Sequence, residues 1–111
     1  MRAFAALLLL VSSLAACGGA LAEGQSQFDK GRYAEAKQTF ASSEAESRAW
    51  SDERRARYAL YRGLTLGALG DRAQAGVWLR EAKAIEAQNP GSLSMEDAQR
   101  LRLGLESNDA N

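Results

Sequence analysis

The chain contains no histidine, one cysteine and one proline, and its 14 basic and 14 acidic residues leave no net charge. Without histidine it lacks the side chain that most often serves as general base or metal ligand. A single cysteine cannot form a disulfide within the chain. A neutral balance gives no overall attraction to nucleic acid or to an anionic membrane surface. These absences argue against an enzyme, a metal site, a cofactor and a nucleic-acid partner.

What remains is the composition of one small helical domain. The chain has 111 residues, of which 46% are hydrophobic and 25% are charged, as expected for a globular protein rather than a disordered tail. Alanine is abundant and proline is nearly absent, which favours helices. The sequence therefore predicts an all-α fold.

The first 17 residues, "MRAFAALLLLVSSLAAC", have the layout of an export signal. Arg2 supplies a positive start, and a mostly apolar stretch follows over 3–14. About 20 apolar residues are needed to cross a bilayer, so this stretch is too short to span one. It predicts a secretory signal peptide over 1–16 that is removed in the mature protein.

The four residues Leu14, Ala15, Ala16 and Cys17 resemble the lipobox of bacterial lipoproteins. The resemblance implies that Cys17 becomes the lipidated first residue of the mature chain and that 17–20 form a flexible tether. Residue 18 is not aspartate, so the resemblance favours the outer membrane, facing the periplasm, over the inner membrane. An ordinary signal peptide with a chance cysteine is the alternative.

The mature sequence contains a repeat in which each residue of one copy lies 39 positions before its counterpart. Two glycines, seven residues apart, open each copy, and small and bulky apolar residues follow. The pairs are Gly24 with Gly63, Gly31 with Gly70, Ala36 with Ala75, and Phe40 with Leu79; Ala82 is a further small residue of the second copy.

These spacings resemble the tetratricopeptide repeat (TPR), in which each unit is a pair of antiparallel helices. The resemblance implies a short α-solenoid over 21–107, with two hairpins and a C-terminal capping helix. The period exceeds the usual 34 residues by about five, and we place the extra residues in the charged stretch 42–57.

Local patterns predict where the helices begin and end. Ser51, Asp71 and Ser94 are candidate N-caps. After Ser94, Met95, Ala98, Leu101 and Leu105 form an apolar stripe at helical spacing, and 108–111 should be frayed.

In TPR proteins the first helix of each pair lines a groove that binds peptides or partner helices. By this resemblance, the partner-binding candidates are Arg57, Leu60, Tyr61, Leu64 and Ala68. The alternative is that Leu60 and Leu64 pack on the preceding helices. We expect Trp78 to pack in the core or against the cap, whereas Trp50 either closes the joint between repeats or offers an exposed contact.

The sequence thus predicts a non-enzymatic, membrane-anchored periplasmic adaptor or assembly factor. It would hold a protein partner of an envelope complex that serves secretion, pilus or outer-membrane assembly, and it could associate with itself. The alternative is a structural subunit of an envelope or motility complex with no free groove.

Overall fold

The computed structural model describes residues 19–110, and every regular element among them is a helix. The all-α prediction is therefore confirmed for this part of the chain. The predicted signal peptide and Cys17 lie outside the described residues. The helices are α1 (Ala20–Asp29), α2 (Tyr33–Ser42), α3 (Glu44–Ser47), α4 (Asp52–Ala68), α5 (Arg72–Gln88) and α6 (Met95–Asp109).

Two glycines form the turns after α1 and α4. Gly31 and Gly70 have φ angles of 76° and 84°, in the left-handed region that side chains with a Cβ atom avoid. The amide after each glycine returns to the preceding helix: Arg32 N–H donates to the carbonyl of Gln27, and Asp71 N–H to that of Leu66. These bonds satisfy carbonyls that a helix end otherwise leaves unpaired.

Three helices begin at the capping residues that the sequence predicts. The side chains of Ser51, Asp71 and Ser94 accept hydrogen bonds from the backbone amides three residues further on, at 3.3, 3.2 and 3.1 Å. Each bond satisfies one of the free amides at a helix start. The first turns of α4, α5 and α6 are thus fixed by local sequence.

The helices pack mainly against close neighbours along the chain. α1 packs on α2 and α4 packs on α5; α4 also contacts α1 and α2, and α6 contacts both α5 and α4. α4 is central and contributes the largest share of the core, including the fully buried Tyr58, Leu60 and Tyr61.

The charged stretch 42–57 folds into the short helix α3, a turn and the start of α4. Ser43 and Ser47 are buried there because their hydroxyls donate to the carbonyls of Thr39 and Glu44. Glu44 and Arg48 form an ion pair across one helical turn, at 3.1 Å.

One sequence prediction for α6 is wrong. Met95 is 92% exposed and does not belong to the buried stripe, whereas Leu93, just before the helix, is buried in its place. The helix extends to Asp109, two residues into the segment 108–111 for which fraying was predicted. The side chain of Arg72 donates to the carbonyl of Asn108, which secures this last turn.

Candidate interaction site

The five partner-binding candidates share one side of α4 but differ in exposure. Arg57 and Ala68 are exposed and Leu64 is half-buried. Leu60 and Tyr61 are 0% and 1% exposed, so they belong to the core. The expectation that these two side chains line an open groove is therefore wrong, and the alternative of packing holds for Leu60.

Tyr61 is buried because neighbouring helices satisfy both its ring and its hydroxyl. Its ring meets that of Phe28 on α1 edge to face, with centroids 5.5 Å apart. Its hydroxyl donates to Asp97 at 2.9 Å and accepts from Arg100 at 2.7 Å, both on α6. Burial, followed by the bond to Asp97, raises the pKa of Tyr61 to about 12. The residue joins three helices.

The exposed candidates line two hollows at opposite ends of α4. The first, of about 280 Å³, lies between α1 and α4, where Arg54 and Arg57 face Gln25. The second, of about 340 Å³, is bounded by α4, α5 and α6, and Leu64 and Ala68 line its α4 wall. The surface that α1, α4 and α6 leave open is thus basic at one end and largely uncharged at the other, apart from Arg72 at its rim.

The repeat-defining residues lie where the paired helices meet. A Cβ atom on Gly24 would overlap the ring of Phe40, and one on Gly63 would come within 2.8 Å of the side chain of Leu79. The small residues Ala36, Ala75 and Ala82 are at most 1% exposed. Residues 39 positions apart in the sequence therefore make the same contacts in both hairpins.

An arginine–aromatic cluster on another side of α4 was not predicted from the sequence. The guanidinium of Arg62 lies 4.3 Å from the centre of the Trp78 ring and donates to Glu44 at 2.6 Å. Tyr58 meets Trp50 and Trp78 edge to face, with centroids 5.6 and 5.7 Å apart. Trp50 therefore closes the joint between α3 and α4, and Trp78 packs against the core.

The charges in this cluster are held in place by direct contact. The hydrogen bond from Arg62 is the main cause of a lowered pKa of Glu44, and the Arg48 guanidinium adds to it. Burial raises the pKa of Tyr58, whose hydroxyl donates to the carbonyl of Phe40. The cluster fixes α3 to the hairpin of α4 and α5. The one sequence clue was the placement of Tyr58 and Arg62 on successive turns of α4.

The described residues offer little for chemistry. Within 19–110, no three His, Cys, Asp or Glu residues come together in a way that could hold a metal ion. None of the helices in that range combines the length and hydrophobicity needed to cross a bilayer. No protein-family model matches the chain, and no match was found among curated proteins or solved structures.

Proposed function

We propose that the chain is a small TPR-like lipoprotein that binds another polypeptide at the cell envelope without transforming it. The observation that carries the proposal is the repeated geometry of the two hairpins, which leaves the side of α1, α4 and α6 open. Small-molecule and active sites are concave pockets with a few precisely placed polar groups, whereas open helical surfaces of this kind suit peptides and partner helices.

The packing order supports a solenoid. In repeat proteins each unit contacts only its neighbours, so the chain stacks in one direction. Here the first helix of each hairpin packs on the second, and both helices of the first hairpin contact α4. α6 covers the last hairpin, as a capping helix does. The left-handed glycines Gly31 and Gly70 recur at equivalent turns.

The start of α1 supports the anchoring role. Gly19 is the N-cap of α1, and Cys17 stands two residues before it in the sequence. A lipid on Cys17 would therefore hold the first helix within about 10 Å of the membrane surface, since each extended residue spans about 3.5 Å. Confinement at a surface raises the effective concentration of a weak binding module near its target.

Site-specific crosslinking in the native cells tests the binding surface. A photo-crosslinking amino acid replaces Arg57 or Ala68 on the open side, and Lys37 or Ala34 on the exposed side of α2 serves as the matched control. We expect one defined protein adduct from positions 57 and 68 and none from 34 and 37. The same adducts at all four positions, or none at the first two, would overturn the proposal.

Fatty-acid labelling tests the anchor separately. Cells that express the wild-type chain should incorporate labelled fatty acid into it, and cells that express Cys17→Ser should not. Equal labelling of the two chains would remove the lipid anchor from the proposal and would leave the binding surface to be judged by the crosslinks.

One observation favours the second candidate function, a structural subunit with no free groove. The burial of Leu60 and Tyr61 removes two of the five predicted contact residues from the surface. If Arg57→Ala and Ala68→Arg lower the stability of a larger assembly without abolishing recovery of a separate client protein, the structural role is the better description.

A further inference from the structure

A second apolar surface lies at the end of the helix stack, away from the open side of α4. It is a groove of about 600 Å³ between α5 and α6. Ala98, Leu101 and Leu105 of α6 form its floor with Ala87 of α5, and the lining is mostly apolar. Ala98 and Leu105 pack on the core but stay partly exposed, so an added helix could bury them further.

Charged side chains of both signs border this end groove. Lys83 and Arg102 are basic, and Glu86, Glu106 and Asp109 are acidic. Glu86 accepts hydrogen bonds from the backbone amides of Gly91 and Leu93. Within residues 19–110, the side chains of the other four make no hydrogen bond or ion pair. A partner of one charge sign would satisfy only half of them, whereas a second copy of the same chain supplies both signs.

We propose that the end groove binds α6 of a second copy, so that the chain forms a two-fold symmetric dimer. In an isologous contact, residue i meets residue j of the partner and residue j meets residue i. With the two α6 helices antiparallel, one register sets the partly exposed Leu105 over the partner's Leu101, which is 5% exposed at the groove floor, and Arg102 beside the partner's Glu106. The symmetry then repeats each contact, giving two apolar pairs and two ion pairs.

The spacing of these residues makes that register consistent. Leu101 and Leu105 are one helical turn apart, and so are Arg102 and Glu106. An alignment of the two helices that pairs the leucines therefore brings the charged residues of the two chains to within half a turn of each other. The groove is lined by nine residues, whereas the interfaces of stable complexes use about 20–30 residues a side. The dimer is therefore weak in dilute solution and is favoured where copies are concentrated.

Sedimentation equilibrium of the full-length chain tests the dimer, in a detergent whose density is matched by the solvent so that bound micelles do not contribute. We expect the average mass to rise from monomer towards dimer as the protein concentration increases. Arg102→Glu and Glu106→Arg should each raise the concentration at half-dimerisation by about tenfold, since each replaces two attractions by two like-charge contacts. Lys37→Glu, on the exposed side of α2, is the control and should leave it unchanged.

The exchange of both charges makes the test specific. Arg102→Glu combined with Glu106→Arg restores opposite charges across the two-fold axis, so association should return to within about threefold of the wild type. Far-ultraviolet circular dichroism of all variants verifies that they fold. The proposal would be overturned by a chain that stays monomeric at every concentration. It would also be overturned by a double variant that associates no more tightly than either single variant. This outcome is independent of lipidation and of the binding surface on α4.

Discussion

The hydroxyl of Tyr61 depends on two side chains that lie 36 and 39 residues further along the chain. Asp97 accepts its proton and Arg100 donates to its oxygen, while Arg100 also bonds to Asp97 at 3.1 Å. A buried hydroxyl without partners would cost a few kcal/mol. With both partners present, the aromatic side chain can be buried completely, and two hydrogen bonds join α4 to α6.

The buried, hydrogen-bonded hydroxyl of Tyr61 predicts a loss of stability at alkaline pH. The pKa of Tyr61 is raised from 10.0 to about 12 in the folded chain, so the unfolded chain loses its proton first. The contribution of Tyr61 to stability is therefore constant below pH 10 and falls as the pH rises from 10 towards 12. We expect Tyr61→Phe to flatten this decline, as measured by urea unfolding at a series of pH values. Parallel declines in the two chains would contradict the assignment.

The glycine in the middle of α4 is in close contact with Leu79, so replacing it by alanine should destabilise the chain. Helix propensity alone would predict the opposite, a gain in stability. In Gly63→Ala the new Cβ would lie 2.8 Å from two side-chain carbons of Leu79 and 3.1 Å from its backbone nitrogen. Alanine favours a helix by about 1 kcal/mol over glycine, but overpacking of a core costs about 1–3 kcal/mol. We expect a net loss of about 1 kcal/mol in the free energy of unfolding.

Gly67→Ala is the matched control in the same helix. There the nearest atom to the new Cβ is the Ala75 Cβ at 3.8 Å, an ordinary contact. Gly67 has no positive φ, so we expect this change to be neutral or to stabilise by up to about 1 kcal/mol. Equal changes in melting temperature in the two variants would show that the close contact at Gly63 does not determine the cost of placing a side chain there.

At the scale of elements, the local sequence predicts where helices begin better than it predicts which helices pack against each other. Ser51, Asp71 and Ser94 were identified because an N-cap acts on amides three residues away. The short helix α3 was not identified. It depends on Arg62, which reaches back from α4 to Glu44 and Trp78, and no local pattern reports such a distant contact.

The loop between α5 and α6 predicts a second pH effect, at acidic pH. The carboxylate of Glu86 accepts hydrogen bonds from the backbone amides of Gly91 and Leu93, at 2.9 and 2.8 Å. These bonds lower the pKa of Glu86 below 4.5 in the folded chain. Its contribution to stability is therefore complete above the unfolded pKa and is lost as the pH falls through the folded value.

Glu86→Gln isolates this contribution because the amide keeps the shape of the side chain and loses the charge. At neutral pH we expect the variant to melt at a lower temperature than the wild type. The gap should narrow as the pH falls below 4.5 and close once Glu86 is protonated in the folded chain as well. Thermal melts followed by circular dichroism measure it, and Glu46→Gln, at an exposed position of α3, is the control. A gap independent of pH would mean that the loop does not depend on the charge.

At the scale of the whole molecule, the repeat indicates paired helices but not which surface they leave open. Gly24 and Gly63 and their bulky partners recur 39 residues apart, and the resemblance of this spacing to the tetratricopeptide repeat is what implies paired helices. The exposure of Tyr61 depends on how α6 lies over α4, through Asp97 and Arg100. That arrangement has no counterpart in the repeat, which is why the predicted stripe on α4 is partly buried.

Stability should therefore vary among the helices in a predictable order. α4 is covered by α1, α2, α5 and α6, whereas α1 is covered only by α2 and α4, and α6 only by α4 and α5. Helices with fewer neighbours open at a lower free energy than central ones. We expect hydrogen–deuterium exchange to be slowest in α4 and faster in α1 and α6, with α5 closer to α4.

A substitution in the first helix, α1, makes this test more specific. In Gly24→Ala the added Cβ would overlap the ring of Phe40, so the variant strains the contact between α1 and α2. If the helices are coupled mainly to their neighbours, exchange in α1 and α2 should accelerate much more than exchange in α6, as resolved by mass spectrometry of proteolytic fragments. Equal acceleration in all helices would instead define one cooperative unit, in which Gly24 supports α6 as strongly as it supports α2.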